Sequence, residues 1–114
     1  MRPLNNHERT LIWRVANRLP EAQRDQLCAD LSNASVSSES EDRSRVSFDI
    51  AGYCRPAYSG QHPYPVEIRV LDVDNVELTL LLHADEQDRL LELELIRWED
   101  GVIKGPRWDT LTLF

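Results

Sequence analysis

The sequence predicts an α+β domain: an N-terminal antiparallel helix pair packed on one face of a four- to five-stranded, mainly antiparallel meander sheet. Two patterns lead to it. Apolar residues recur at helical spacing from Leu11 to Leu31, and from Pro65 to Trp98 they recur at every second residue. A third observation joins them, because Pro20 separates two short helical stretches so closely that they must turn back on each other. At 114 residues and 13.2 kDa the chain is expected to form one domain, with 1–34 helical and 35–114 forming the sheet.

The first helix is expected from about Asn6 to Arg18. Asn5 followed three residues later by Glu8 forms a capping-box pattern, with Leu4 where a hydrophobic staple would sit. Leu11, Ile12, Val15, Ala16 and Leu19 make its buried stripe, and Trp13 borders that stripe as an edge packing residue. Pro20 ends this helix and opens the next, where Glu21 and Asp25 complement the dipole. Leu27, Cys28, Leu31 and Ala34 supply the second stripe, and Ser32–Ser35 breaks the pattern.

In the second half, Val66, Ile68 and Val70, then Val76, Leu78, Leu80 and Leu82, then Leu91, Leu93 and Leu95 fall on one side of three strands. A three-residue loop, Val73-Asp74-Asn75, sets Val66 opposite Leu82 and Val70 opposite Leu78, with Asn75 able to turn left-handed. A four-residue loop, Asp85–Asp88, sets Leu82 opposite Leu91, Leu80 opposite Leu93 and Leu78 opposite Leu95, so one face stays apolar throughout. Val46, Phe48 and Ile50 alternate in a further strand, Val36–Glu39 reads as a thin edge strand, Val102-Ile103 as an extension, and Thr110–Leu113 as a terminal strand. The segment 52–65, rich in proline and containing Tyr53, Tyr58 and Tyr64, reads as an ordered loop.

The formal charge is −7, and it is concentrated. Between Val66 and Gly101 eleven carboxylates face only Arg69, Arg89 and Arg97. Such a surface repels nucleic acid and anionic membrane and would attract a basic protein, although acidity also serves plain solubility. No apolar run reaches the eighteen or so residues of a membrane span, and the segment Met1–Glu8 lacks the apolar core of a secretion signal, so the expected location is cytoplasmic. Two cysteines, Cys28 and Cys54, fit free thiols.

No arrangement of residues points to catalysis, to a metal or to a cofactor. His7, His62 and His83 lack the local spacing of a zinc site. Cys54 and His62 share a loop without a third group to orient them, and a cysteine packed under aromatic residues is the simpler reading. Asp72–Glu77 lacks the glycine and the fifth-position oxygen of a calcium loop and serves as a turn. Glu92 and Glu94 share one side of a strand, as on a solvated face, without the apolar cleft that would raise a carboxylate pKa.

Arg2-Pro3-Leu4 with Glu8-Arg9 and Leu11-Ile12, together with Val76–Leu80, Asp88–Glu94 and Gly105-Pro106, resembles a bacterial family of unknown function. In size, acidity and layout the chain also resembles immunity proteins of contact-dependent growth inhibition and other polymorphic toxin systems. That likeness implies a non-catalytic cytoplasmic protein that neutralises a cognate toxin, often a basic nuclease, through an acidic surface. Glu67, Glu77, Glu92, Glu94, Glu99 and Asp100 would then be the charged contacts, and Tyr53, Tyr58 and Tyr64 the aromatic anchors, although tyrosines equally pack over sheet edges. The alternative is a stand-alone bacterial domain acting by self-association, as a homodimer, or by binding a small ligand through the 52–65 loop.

Overall fold

The structure is a computed structural model and describes residues 1–57 and 60–114. Helix α1 spans Asn6–Ala16 and opens as the sequence indicates. The Asn5 side chain accepts the Glu8 amide at 2.9 Å, and Glu8 Oε1 accepts the Asn5 amide at 2.9 Å. Arg2 donates to both oxygens of the same glutamate, and its backbone pairs with Val36, which ties the start of the chain to the sheet edge. Helix α2 spans Glu21–Asn33 with Pro20 as its N-cap, and runs straight into strand β1, Ala34–Glu39.

The remaining strands are β2 (Arg45–Ile50), β3 (Gln61–Pro63), β4 (Ile68–Asp72), β5 (Glu77–Asp85), β6 (Leu90–Arg97) and β7 (Pro106–Leu113). They form one antiparallel sheet in the order β1-β2-β6-β5-β4-β7, with β3 pairing the far end of β5 beyond β4. The expected α+β architecture is present. Among the described residues the sheet has seven strands rather than four or five, because β3 and the two edge strands also pair. Leu11, Ile12, Val15 and Leu27 from the helices are buried with Phe48, Ile68, Val70, Leu78, Leu80 and Leu82 in one core. Fully burying each such side chain stabilises by roughly 1.5–3 kcal/mol.

The first long hairpin follows the expected turn. Val70 faces Leu78, Asp72 N donates to Val76 O at 2.8 Å, and Asn75 adopts φ +67°. Val66 does not face Leu82: the Val66 amide turns back to Tyr64 O, and the Tyr64 amide takes Leu82 O. The chain therefore steps from β3 to β4 through a tight turn instead of one continuous strand.

The second hairpin corrects the expected register by two residues. Leu82 faces Leu93 and Leu80 faces Leu95, not Leu91 and Leu93. Two single-residue changes add up to this. The turn holds three residues, Glu86–Asp88, with Asp88 at φ +60° and Asp85 N donating to Arg89 O. Leu91 is then an unpaired bulge between Leu90, which faces Ala84, and Glu92, which faces His83. Because two slips preserve the pleat, Leu93 and Leu95 stay in the core, while Leu90 takes the buried place expected of Leu91.

Val102-Ile103 does not extend the sheet. Val102 is exposed, and the loop is held instead by Asp72, whose carboxylate accepts the Lys104 amide at 2.9 Å and the Gly105 amide at 2.7 Å. Trp13 is exposed on α1.

Candidate ligand-binding cleft

Asp30, on α2, is fully buried and accepts from Arg89 at 2.8 Å, from the Leu90 amide at 3.1 Å and from Gln26 at 3.0 Å. The Leu90 amide needs this partner because the neighbouring bulge interrupts the ladder. Asp85, also fully buried, ends β5. It accepts from the Tyr53 hydroxyl at 2.6 Å, Arg55 at 2.8 Å, the Gln87 amide at 2.8 Å and the Arg89 amide at 3.0 Å. Arg89 closes the set, its guanidinium 4.2 Å from the Tyr53 ring centroid.

These contacts join α2, the loop after β2 and the β5–β6 turn into one rigid unit. Burial alone would raise the Asp85 carboxyl, but the Tyr53 hydroxyl, the Arg89 and Gln87 amides and Arg55 hold it below the ordinary carboxylate range. The Tyr53 phenol is pushed up to about 12, by burial first and then by its bond to Asp85. It therefore remains a donor.

Against this unit lies a cleft of about 490 Å³ between the first turns of α2, the His62–Pro65 segment and the Gln87-Asp88 turn. Ala22, Gln23 and Gln26 form one wall; Pro63, Tyr64 and Pro65 form the other. His62 Nε2 lies 2.8 Å from Asp88 Oδ1 at the rim. Tyr64 is 9% exposed, and its hydroxyl has no hydrogen-bond partner. Burial, then the charges of Asp30, Asp85 and Asp88, push its phenol well above the ordinary value. A half-open hollow of this size, with an apolar wall and a few convergent polar groups, has the form of a small-molecule site.

The residues expected to form an acidic docking surface are distributed differently. Arg69 donates at 2.6 Å to both Glu67 and Glu77. Arg45 lies 3.6 Å from Glu92 and donates to Glu94 at 3.0 Å, and His83 Nε2 is 3.1 Å from Glu94. Glu92 and His83 are buried, which corrects the expectation of a solvated face, since Glu92 lies opposite His83 on one side and Ser47 on the other. Glu99 and Asp100 are exposed in the loop after β6. Tyr53 and Tyr64 are packing residues of the cleft unit, and Tyr58 lies outside the described residues.

Cys54 is exposed rather than packed under aromatic residues, and it lines a separate hollow beside β2 with Arg55 and Asp49. His62 belongs to the α2 cleft, so the two do not share a site. Among the described residues no group of three or more His, Cys, Asp or Glu side chains is arranged to hold a metal ion. Among the described residues no helix is long and apolar enough to cross a membrane.

Sequence reasoning missed Asp30, Gln23, Gln26 and Gln87. Asp30 on the stripe side of α2, between Leu27 and Leu31, was the available signal, because a carboxylate there must find a partner.

No curated protein and no solved structure matches the chain. A family model does match, over residues 1–105, and the chain therefore belongs to the family described as Domain of unknown function (DUF6984).

Proposed function

We propose that the domain is a binding module for a small polar organic ligand held in the cleft between α2 and the His62–Pro65 segment. One observation carries the reading: apolar Ala22, Pro63 and Pro65 and the polar side chains of Gln23, Gln87 and Asp88 converge on a single hollow of about 490 Å³, whose walls Asp30 and Asp85 fix through several donors each. The surrounding charge network supplies rigidity, which lowers the ordering cost of binding.

The test is a set of small neutral, cationic, anionic and zwitterionic fragments added to ¹⁵N-labelled protein. Amide shifts confined to Ala22–Gln26, His62, Tyr64, Gln87 and Asp88 are the expected result. Shifts scattered over the surface, or none from any fragment, would sink the reading.

A second reading is neutralisation of a basic toxin domain. It is supported by the loop after β6, where Glu99 and Asp100 lie between Trp98, an indole 75% exposed, and Val102, 71% exposed. Exposed aromatic and acidic groups in one loop suit a basic partner. Glu67, Glu77, Glu92 and Glu94 contribute less to it, since Arg69 and Arg45 already engage them. Reversing Glu99 and Asp100 to lysine should release a copurifying basic protein at low salt; unchanged capture would rule out this surface.

A further inference from the structure

We propose that Asp100 is a site of self-modification, where the chain closes a succinimide on its own backbone, with Arg97 promoting the closure, and reopens it as isoaspartate. The reaction needs a free carboxyl, a following amide that is neither crowded nor engaged, and a group that eases loss of that amide's proton. The loop after β6 brings all of these together. Asp100-Gly101 is the chain's one Asp-Gly pair, and every residue from Trp98 to Val102 is exposed. Among the described residues Asp100 is engaged only at its backbone carbonyl, and the Gly101 amide is engaged by nothing. Gly101 has no side chain to shield its nitrogen, and its φ of +106° is glycine's own region.

Arg97 lies over this peptide. Its Nη2 donates to Asp100 O at 3.5 Å, and its Nε and Nη2 are each 3.8 Å from where a Cβ on Gly101 would stand. Asp72 at 2.8 Å and Asp74 at 2.9 Å hold the guanidinium there. When the Gly101 nitrogen gives its proton to solvent, negative charge spreads onto Asp100 O, so a fixed cation at that oxygen favours the reacting form. The nitrogen then bonds to Cγ of the neutral carboxyl, which loses its hydroxyl group; with the amide proton that hydroxyl makes one water. Solvent water reopens the ring. Attack at Cγ restores aspartate, whereas attack at the α-carbonyl leaves the backbone running through Cβ and Cγ, one methylene longer, with a free α-carboxylate.

No other aspartate combines these features. Asp30, Asp72 and Asp85 are fully buried, while Asp42 is bonded to serines, Asp74 to Arg97 and Lys104, and Asp88 to His62. Asp25, Asp49 and Asp109 are exposed, but each is followed by a residue that carries a side chain and lies within a helix or strand. The conversion falls outside the α2 cleft and is independent of the ligand reading. It redirects the carboxylates of Glu99 and Asp100, the pair on which the second reading depends.

The test is storage of the full chain for several weeks, well below its melting midpoint, followed by peptide mapping and by labelling with an isoaspartyl O-methyltransferase. Expected is isoaspartate at Asp100 above that at every other aspartate, and none at that position in Asp100→Glu, whose longer side chain disfavours ring closure. The native chain should convert at least about threefold faster than the same chain unfolded in urea, where Arg97 leaves the peptide, and Arg97→Lys should slow it alike. Isoaspartate absent from Asp100, or spread evenly over the aspartates, would overturn the proposal. So would a folded Arg97→Lys chain that converts at the parent rate. Equal or faster conversion in urea would do the same, and that comparison needs no variant to fold.

Discussion

Asp85 is fully buried and remains a carboxylate, because four donors converge on it from two segments, the loop after β2 and the β5–β6 turn. Removing one member of a buried pair leaves the other charge uncompensated, so Asp85→Ala should lower the unfolding free energy in urea by about 3–5 kcal/mol. Asp72 behaves alike. Burial would raise its carboxyl, but the Lys104, Val73 and Gly105 amides and Arg97 bring it below the ordinary range. Depressed carboxylates stabilise the fold above their unfolded pKa, near 3.9, and that stabilisation is lost as pH falls through the lower folded values. A thermal melting series should therefore be flat with respect to these groups from about pH 5 to 8 and drop below about pH 4, with a shallower acid limb in Asp85→Ala. A midpoint insensitive to acid would contradict the burial of these groups as anions. The sequence shows Asp72 and Asp85 only as turn residues of an acidic surface. Their partners lie as far as 33 positions away, and no spacing rule links Asp85 to Arg55 or Asp72 to Lys104.

At the scale of elements, periodicity was enough for the helices, for β2 and for the core face of β4 and β5, where Val46, Phe48, Ile68, Val70, Leu78 and Leu80 are all buried. It was not enough for β6. The run Leu90-Leu91 lets either residue begin the apolar alternation, and the choice is made by Asp88 turning left-handed and by Asp30 capping the Leu90 amide. Leu90→Ala should thus cost about 2–5 kcal/mol, the range of a buried leucine, and Leu91→Ala under about 1 kcal/mol. Urea unfolding of the two variants distinguishes them, and a reversed order would restore the four-residue turn. In the first hairpin the turn chemistry was legible, since Asn75 tolerates φ +67°. Asn75→Val should lose about 1–2 kcal/mol by the same measurement, and Asn75→Gly should be close to neutral.

On the scale of the whole molecule, net charge was a poor guide to surface potential. Arg45, Arg69, Arg89 and Arg97 each bind two carboxylates or one that is fully buried, so much of the −7 is locally balanced. The sheet edges are also closed to casual pairing. β1 carries a bulge and is bridged by Arg2, and β7 begins with Pro106 and shifts register against β4. What the fold leaves open is the α2 cleft, which the sequence indicated only through the tyrosine and proline content of the loop that forms one wall. Its other wall comes from glutamines on a helix surface, and its rim from a turn 22 or more residues further along the chain.

The Asp30 and Asp85 networks, and not the sealed, unpartnered Tyr64 hydroxyl, hold the cleft wall together. The most direct measurement is equilibrium urea unfolding of Tyr64→Phe beside the parent chain, without ligand. The expected result is a protein at least as stable, gaining up to about 1–3 kcal/mol from removal of an unpaired buried hydroxyl. A loss of more than about 1 kcal/mol would mean that the hydroxyl itself holds the wall in place, and would contradict the account of a wall built by the two carboxylate networks.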